Sequence, residues 1–310
     1  MSFPLVAIHR LSCLSRIGLG TVQFGTNYGI SNRGGRPSEA EIAAILACAA
    51  ETGIGYLDTA ASYTDAEALI GRHLPARHPM RIITKLPPID DDAIALHHTE
   101  TILGALAASL ERLKATQVHG VLVHRARDLA KPGWQHLVDA LHQARSRNMT
   151  ECIGASVYDQ DDLALVVNRF NPDIVQLPIN ALDRRLAVSG WLARLHAMGI
   201  KVHARSLFLQ GLLLMDPAVI PEFFTPLKST LAKLRAGWAT QKSTPLAGCL
   251  RSVIERPDID VAIVGVNGVQ ELKEIETVVA RLGNENSDFE FPVEIDPIYL
   301  DPRRWPKTLQ

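Results

Sequence analysis

Eight short apolar runs alternate along the chain with longer amphipathic segments, and this alternation restricts the fold more than any other feature. The apolar runs predict strands over residues 16–21, 56–60, 81–86, 118–124, 152–157, 174–179, 201–208 and 261–266. The amphipathic segments predict helices over residues 38–52, 99–114, 133–147, 159–169, 187–198, 227–240, 244–256 and 268–281, with another that begins at Thr64.

Parallel strands need a crossover between neighbours, so the alternation predicts an α/β fold with a parallel sheet. Eight units in a chain of 310 residues favour a closed (β/α)8 TIM barrel. The alternative is a doubly wound open sheet, which usually carries G-x-G-x-x-G after its first strand. The sequence after Ile17 reads GLGTVQFG and lacks that spacing.

Local signals add detail to this outline. Ser38 with Glu41, and Thr64 with Glu67, have the spacing of a capping box at a helix start. Residues before Arg16 are expected to form an N-terminal hairpin that closes the bottom of the barrel. Residues 282–310, rich in proline and acidic groups, are expected to form an ordered C-terminal tail. A single barrel domain over residues 1–310 is the expectation.

Composition and charge argue against several classes of protein. A net charge of -1 and a pI of about 6.8 give no electrostatic footprint for nucleic acid or an anionic membrane. No stretch approaches the roughly 20 apolar residues that span a bilayer, and no secretory signal begins the chain. The four cysteines are far apart, which argues against a disulfide framework or a zinc site. A cytoplasmic protein without a metal, acting on a small molecule, is expected; the oligomeric state is not predicted.

Polar residues interrupt three consecutive predicted strands near their carboxyl ends: Asp58, Lys85 and His124. In a barrel of this kind the active site lies at that end. A lysine within an apolar strand needs a partner, and Asp58 on the neighbouring strand would supply it. Taken singly, Asp58 could cap a turn, Lys85 could reach solvent, and His124 or a nearby Tyr63 could belong to the core.

Together the four residues suit reduction of a carbonyl group, which needs a hydride on carbon and a proton on oxygen. Tyr63 would donate the proton, and the Lys85 ammonium would lower its pKa. Asp58 would hold Lys85, while His124 would orient the carbonyl group and share its developing charge. Hydrolysis is not indicated, because the sequence has no H-E-x-x-H motif and no activated serine or cysteine.

The segment LDTAASY (57–63), with Lys85 in ITKL and His124 in VLVH, resembles the signature of the aldo-keto reductases. The resemblance runs from about Gly18 to Leu282 and is most similar to bacterial members. It also includes GTVQFGTNYG (20–29), SLERL (109–113), IGAS (153–156), VQLPINALDRR (175–185) and QGLLL (210–214). It implies a catalytic tetrad of Asp58, Tyr63, Lys85 and His124, and a nicotinamide dinucleotide held in extended form across the barrel mouth.

The resemblance also implies which residues hold that cofactor. Thr21 and Asp58 would lie near the nicotinamide ribose, and Ser156 and Gln176 would bond the carboxamide. Arg205, followed by Ser206, occupies the position that stacks on the nicotinamide ring, and Gly265, Asn267 and Glu271 belong to the segment around the adenosine phosphate.

Several of these positions depart from the family pattern. Val157 stands where the family has Asn, Arg205 where it has an aromatic residue, and Asn267 where it has a basic one. Glu271 and Ile275 replace Gln and Asn. Family habit favours NADP(H) over NAD(H), whereas a carboxylate at Glu271 would repel a 2′-phosphate unless a cation such as Lys273 offsets it.

Arg125, Arg127 and Arg205 are all expected near the barrel mouth, which favours an anionic, sugar-derived carbonyl substrate bound by Arg125 and Arg205. Solvated loop residues, or binding of the cofactor pyrophosphate, are the alternatives for Arg125 and Arg127. Two other functions remain open: a barrel lyase that forms a Schiff base on Lys85, and a dinucleotide-binding regulatory subunit with little turnover.

Overall fold

A computed structural model describes residues 13–282 and 294–309, and within them eight parallel strands close into a barrel in sequence order. The strands are β1 (Ile17–Gly20), β2 (Tyr56–Asp58), β3 (Arg81–Leu86), β4 (Val118–Val123), β5 (Thr150–Ser156), β6 (Ile174–Pro178), β7 (Lys201–Arg205) and β8 (Val261–Gly265). β8 pairs with β1 and so closes the sheet. The predicted TIM barrel is therefore confirmed, and the open doubly wound sheet is excluded.

Helices surround the barrel, and most of them bury their apolar faces in one continuous core with the strands. They are α1 (Val22–Gly25), α2 (Glu39–Thr52), α3 (Ala66–His73), α4 (His97–Leu113), α5 (Gln135–Ser146), α6 (Gln160–Arg169), α7 (Arg185–Val188), α8 (Trp191–Ala197), α9 (Lys228–Thr240), α10 (Pro245–Ile254), α11 (Val269–Val279) and α12 (Pro297–Leu300). The segment predicted as one helix over 187–198 is interrupted at Gly190, whose φ of 79° is left-handed.

The two predicted capping boxes have different outcomes. The Ser38 side chain accepts the backbone N–H of Glu41, as expected at the start of α2. The capping box at Thr64 is wrong, because Thr64 has a φ of 50° and the residue before α3 makes no side-chain cap. Glu67 is instead buried, where its carboxylate accepts hydrogen bonds from Thr84 on β3 and from Arg112 on α4. It ties a helix to the barrel rather than capping one.

The polypeptide after β7 and the C-terminal tail form a second apolar cluster. The described part of the tail, residues 294–309, packs Trp305 against Phe224 with ring centroids 4.9 Å apart. Phe224 lies in a 3-10 turn, Glu222–Leu227, that precedes α9. The ordered tail is confirmed for these residues, whereas the predicted N-terminal hairpin and residues 283–293 lie outside the described part of the chain.

Strand register brings the predicted polar residues to one end of the barrel. Gly20 at the end of β1 pairs with Asp58, and Lys85 lies next to the last residue of β3. Ser156 ends β5 and pairs with Gln176 on β6. Because parallel strands end on the same side, their side chains share one mouth. No helix in the described residues is long and apolar enough to cross a membrane.

Candidate active site

A cavity of about 1000 Å³ opens at the carboxyl ends of the strands. This volume lies at the upper end of the range of about 300–1,000 Å³ found for ligand pockets. Most of the predicted site residues line it: Thr21, Asp58, Tyr63, Lys85, His124, Ser156, Gln176, Arg205, Ser206, Gly265, Asn267 and Glu271. Besides the strand ends, residues of α11 line the cavity, among them Glu271, Lys273 and Glu274.

A buried ion pair forms the floor of this cavity. Lys85 Nζ donates to Asp58 Oδ2 over 2.7 Å and to the Thr59 carbonyl oxygen over 2.8 Å. Gln176 Nε2 donates to the other carboxylate oxygen of Asp58, also over 2.7 Å. Burial lowers the pKa of the Lys85 ammonium, and the neighbouring Asp58 carboxylate opposes that shift. The carboxylate therefore fixes the position of Lys85 and supports its positive charge.

Tyr63 lies directly above this ion pair, with the centre of its ring 5.2 Å from Lys85 Nζ. Burial raises the pKa of the Tyr63 hydroxyl above its ordinary value, and the Asp58 carboxylate raises it further. The sequence predicted that Lys85 lowers this pKa; the prediction is wrong in direction, because removal from water outweighs the opposing charge of Arg205. Tyr63 consequently keeps its proton at neutral pH, as a proton donor must.

His124 follows β4 and meets Tyr63 edge to face, with ring centroids 5.9 Å apart. Its Nδ1 lies 3.1 Å from Ser62 Oγ, a partner that the sequence did not reveal. Burial lowers the pKa of His124 to about 3, and the charges of Lys85 and Arg205 act in the same direction. The imidazole is therefore neutral, and when Nδ1 accepts from Ser62 its Nε2–H is available to a ligand.

The strand ends beside the ion pair provide polar groups suited to a large polar ligand. Thr21 donates from both its backbone N–H and its hydroxyl to the carbonyl oxygen of Asp58. Gln23 Oε1 is buried and has no hydrogen-bond partner within the described residues. A Cβ on Gly265 would lie 2.3 Å from the end of the Gln23 side chain, so a larger residue there would displace the Gln23 amide. An unsatisfied acceptor beside an open backbone cradle fits the expected nicotinamide dinucleotide.

The outer end of the cavity reaches the start of α11. Glu271 accepts the backbone N–H of Asn267 over 2.8 Å, and Glu41 from α2 accepts the N–H of Val269 over 2.7 Å. Asn32 donates from its side chain to Asn267 Oδ1. Two carboxylates of the chain thus accept the N–H of Asn267, just before the helix, and the N–H of Val269, its first residue.

Arg205 ends β7 and lies with its guanidinium over the ring of Tyr158, 4.1 Å from the ring centre. It donates to the Val157 carbonyl oxygen over 2.9 Å and to Ser206 Oγ over 3.3 Å. Arg303 from the C-terminal tail lies over the same Tyr158 ring, at 3.7 Å. Sequence reasoning missed Tyr158, because it lies on a loop just after β5 and has no strand or helix periodicity.

Arg125 is not among the described residues that line the cavity, contrary to the expectation of a substrate contact. A 3-10 turn, Ala126–Ala130, follows it and brings Asp128 within 2.9 Å of its guanidinium. Arg125 also donates to the Ile89 carbonyl oxygen, and Arg127 bonds Asp162. The guanidinium groups of both arginines therefore stabilise loops. We do not propose that Arg125 binds the substrate.

The family model for the aldo/keto reductase family matches residues 16–287, and the chain belongs to that family. The match covers the whole described barrel, including the strand ends that carry Asp58, Lys85 and Gln176. No curated protein matches the chain. No group of three or more His, Cys, Asp or Glu side chains that could hold a metal ion occurs in the described ranges.

Solved structures with the same fold include several bacterial proteins. The holo form of an aldo-keto reductase from Bacillus halodurans has a TM-score of 0.68 and 19% identity, covering 85% of this chain and 86% of that one. An aldo-keto reductase from Klebsiella pneumoniae in complex with NADPH has a TM-score of 0.63 and 19% identity, covering 85% of each chain. A glycerol dehydrogenase from Gluconobacter oxydans has a TM-score of 0.63 and 16% identity, covering 90% of this chain and 96% of that one.

Proposed function

We propose that this protein reduces an aldehyde or ketone with hydride from NAD(P)H and a proton from Tyr63. The observation that carries the proposal is the stacking of Tyr63 over the buried Lys85–Asp58 pair, with neutral His124 at its edge, in one cavity. Membership of the aldo/keto reductase family supports the reaction class. A Schiff-base lyase would use Lys85 as a nucleophile, but the ammonium is tied to Asp58 and the Thr59 carbonyl oxygen.

The chain's own residues supply the proton and stabilise the charge. NAD(P)H, when bound, supplies the hydride that adds to the carbonyl carbon. As that bond forms, the carbonyl oxygen takes the Tyr63 proton, and His124 donates a hydrogen bond to the same oxygen. The resulting phenolate lies beside the Lys85 ammonium, which Asp58 holds in position, and it regains its proton from solvent. The product is an alcohol.

The candidate cofactor residues fall into two groups along the cavity. Gln176 and Ser156 would meet the nicotinamide carboxamide, with Thr21 near its ribose, and Gly265 lets the backbone approach closely. Asn267 and Glu271 would lie at the adenosine end. Because Gln176 already donates to Asp58, it would present its carbonyl oxygen to the cofactor.

For the cofactor itself we propose a preference for NADP(H) over NAD(H). Glu271 is occupied by the backbone N–H of Asn267, and Glu274 accepts from Gln270, so both carboxylates are engaged locally. Lys273 lines the same end of the cavity and is exposed. Its ammonium would offset the carboxylates and bond a 2′-phosphate. The Klebsiella pneumoniae structure in complex with NADPH supports this form of cofactor in the family.

The direct test is whether the protein oxidises NADPH or NADH with any of a panel of aldehydes and ketones. The loss of absorbance of the reduced nicotinamide measures this reaction. Turnover with any panel member, lost in Tyr63→Phe, supports the proposal. Tight cofactor binding without turnover across the panel would instead favour the regulatory role. Absence of both binding and turnover would contradict the proposed function.

A further inference from the structure

Arg205 brings positive charge to the reacting end of the cavity, and no acidic side chain in the described ranges forms an ion pair with it. Its guanidinium donates to the Val157 carbonyl oxygen and to Ser206 Oγ, both of which are uncharged. The other cation at this end, Lys85, is paired with Asp58 at 2.7 Å. The catalytic end of the cavity therefore carries a net positive charge.

This charge acts on the groups that would contact substrate. Burial dominates the pKa of Tyr63 and of His124, and Arg205 is among the groups that lower both. Because Coulomb interactions in a partly buried site are stronger than in water, these effects indicate that Arg205 and the two reacting groups share one electrostatic environment. A carbonyl compound held by Tyr63 and His124 would lie within it.

The guanidinium is also held in a fixed position. It lies 4.1 Å from the centre of the Tyr158 ring, which restricts its plane, and Tyr158 and Tyr28 both line the cavity beside it. Arginine has five N–H donors, and the structure gives partners to two of its nitrogens. The remaining donors suit a planar or tetrahedral oxyanion, which arginine bonds in bidentate geometry.

We propose that the carbonyl substrate carries an oxyanion group, a carboxylate or a phosphate, that Arg205 binds between Tyr28 and Tyr158. The proposal rests on the proposed function, because it assumes that Tyr63 and His124 hold the carbonyl oxygen. The sequence predicted that Arg125 and Arg205 both bind an anionic substrate; in this proposal only Arg205 does. The reduced nicotinamide ring carries no charge, so it does not neutralise Arg205. The guanidinium charge therefore stays available to an anionic group of the substrate.

The test compares three aldehydes of similar shape: 4-carboxybenzaldehyde, 4-formylphenyl phosphate and the neutral 4-formylbenzamide. We expect wild type to prefer at least one anion by about 10- to 100-fold in kcat/KM, the scale of a hydrogen bond between charged groups. The better of the two anions identifies the group as carboxylate or phosphate. Arg205→Gln should abolish the preference, and Arg205→Lys should keep part of it, because a point charge remains without the bidentate fork.

Arg303→Gln is the matched control. Arg303 lies over the same Tyr158 ring but does not line the cavity, and Asp301 pairs with it. We expect its substrate preference to equal that of wild type. The proposal is overturned if wild type has the same kcat/KM for the neutral amide as for both anions. It is also overturned if Arg205→Gln keeps the wild-type preference for an anion.

Ligand binding separates this proposal from the proposed function. Benzoate, phenyl phosphate and benzamide can be titrated by calorimetry into the protein saturated with reduced cofactor; none of the three is an aldehyde or ketone, so no turnover occurs. Tighter binding of an anion by wild type, lost in Arg205→Gln, supports the anion site even if no aldehyde is reduced. Equal dissociation constants for the three ligands in wild type would contradict it, even if the aldehydes are good substrates.

Discussion

Lys85 Nζ lies 2.7 Å from Asp58 Oδ2, and the two side chains are only 1% and 7% exposed. A pair buried this deeply loses much of its hydration, so each charge depends on the other for compensation. Since the pair also supports Tyr63 from below, one contact links the stability of the barrel to its chemistry. Replacing either member should therefore affect both properties.

Lys85→Met should lower the free energy of unfolding by about 3–5 kcal/mol, because it leaves the Asp58 carboxylate buried with only the Gln176 amide. Urea unfolding followed by circular dichroism measures this loss. The double variant Asp58→Asn/Lys85→Met should lose less than the sum of the two single variants. Additive losses would mean that the two charges do not depend on each other.

Tyr63→Phe keeps the ring above Lys85 and removes the hydroxyl. We expect turnover to fall at least about 100-fold, the usual scale for loss of a general acid. The dissociation constant of the cofactor, measured by fluorescence, should change little. Ser62→Ala is the neighbouring control: it removes the partner of His124 Nδ1 and should reduce turnover far less. Near-normal turnover in Tyr63→Phe would rule out this residue as the proton donor.

The sequence was sufficient to predict the residues on the strands. A parallel strand in a barrel has a fixed direction and register, so a charged residue near its carboxyl end must face the mouth, as Asp58 and Lys85 do. Asp58 and Lys85 come together in the structure for this reason, whereas Tyr63, on the loop after β2, and His124, just after β4, were predicted with the help of the family signature in LDTAASY and VLVH. The barrel itself was equally predictable, because the spacing of apolar runs determines the number of strands.

Loop residues could not be predicted in this way. Arg125 follows His124 directly, but the turn after it and the buried Asp128 draw its side chain into the loop. Tyr158 and Arg303 are 145 positions apart in sequence and meet only because the C-terminal tail folds back over the loop after β5. Such contacts depend on tertiary packing, and no local pattern encodes them.

The adenosine end of the cavity gives a prediction on cofactor choice. Lys273→Ala should weaken binding of NADPH by about tenfold and leave NADH unchanged, because only the 2′-phosphate would contact the ammonium. Glu271→Gln should strengthen NADPH binding, since it removes a negative charge from the same end. Fluorescence titration of both reduced cofactors measures these changes. An equal effect of Lys273→Ala on the two cofactors would show that Lys273 does not bond the phosphate.

The buried Glu67 provides a test of the barrel independent of function. Its carboxylate is 2% exposed and accepts hydrogen bonds from Thr84 and from Arg112 at 2.6 Å. Arg112→Met should lower the free energy of unfolding by about 3–5 kcal/mol, because the carboxylate stays buried without its cation. Adding Glu67→Gln should recover part of that loss. Thermal unfolding measures the stability of Arg112→Met and of the double variant. If the double variant is no more stable than Arg112→Met, Arg112 acts through packing alone.

His124 predicts a dependence of stability on pH with a definite sign. The unfolded chain binds a proton on this residue near its ordinary pKa of 6.5, whereas burial keeps the native residue neutral down to about 3. Between these values the unfolded state binds the extra proton, so stability falls as the pH falls, by at most about 1.4 kcal/mol per pH unit for one group.

His124→Asn should remove this contribution, so its loss of stability from a pH above 6.5 down to about pH 5 should be smaller than that of wild type. His142→Asn, at an exposed position on α5, should keep the wild-type dependence. Urea unfolding of the three proteins at both pH values measures the difference, and parallel losses in wild type and His124→Asn would contradict a buried neutral imidazole.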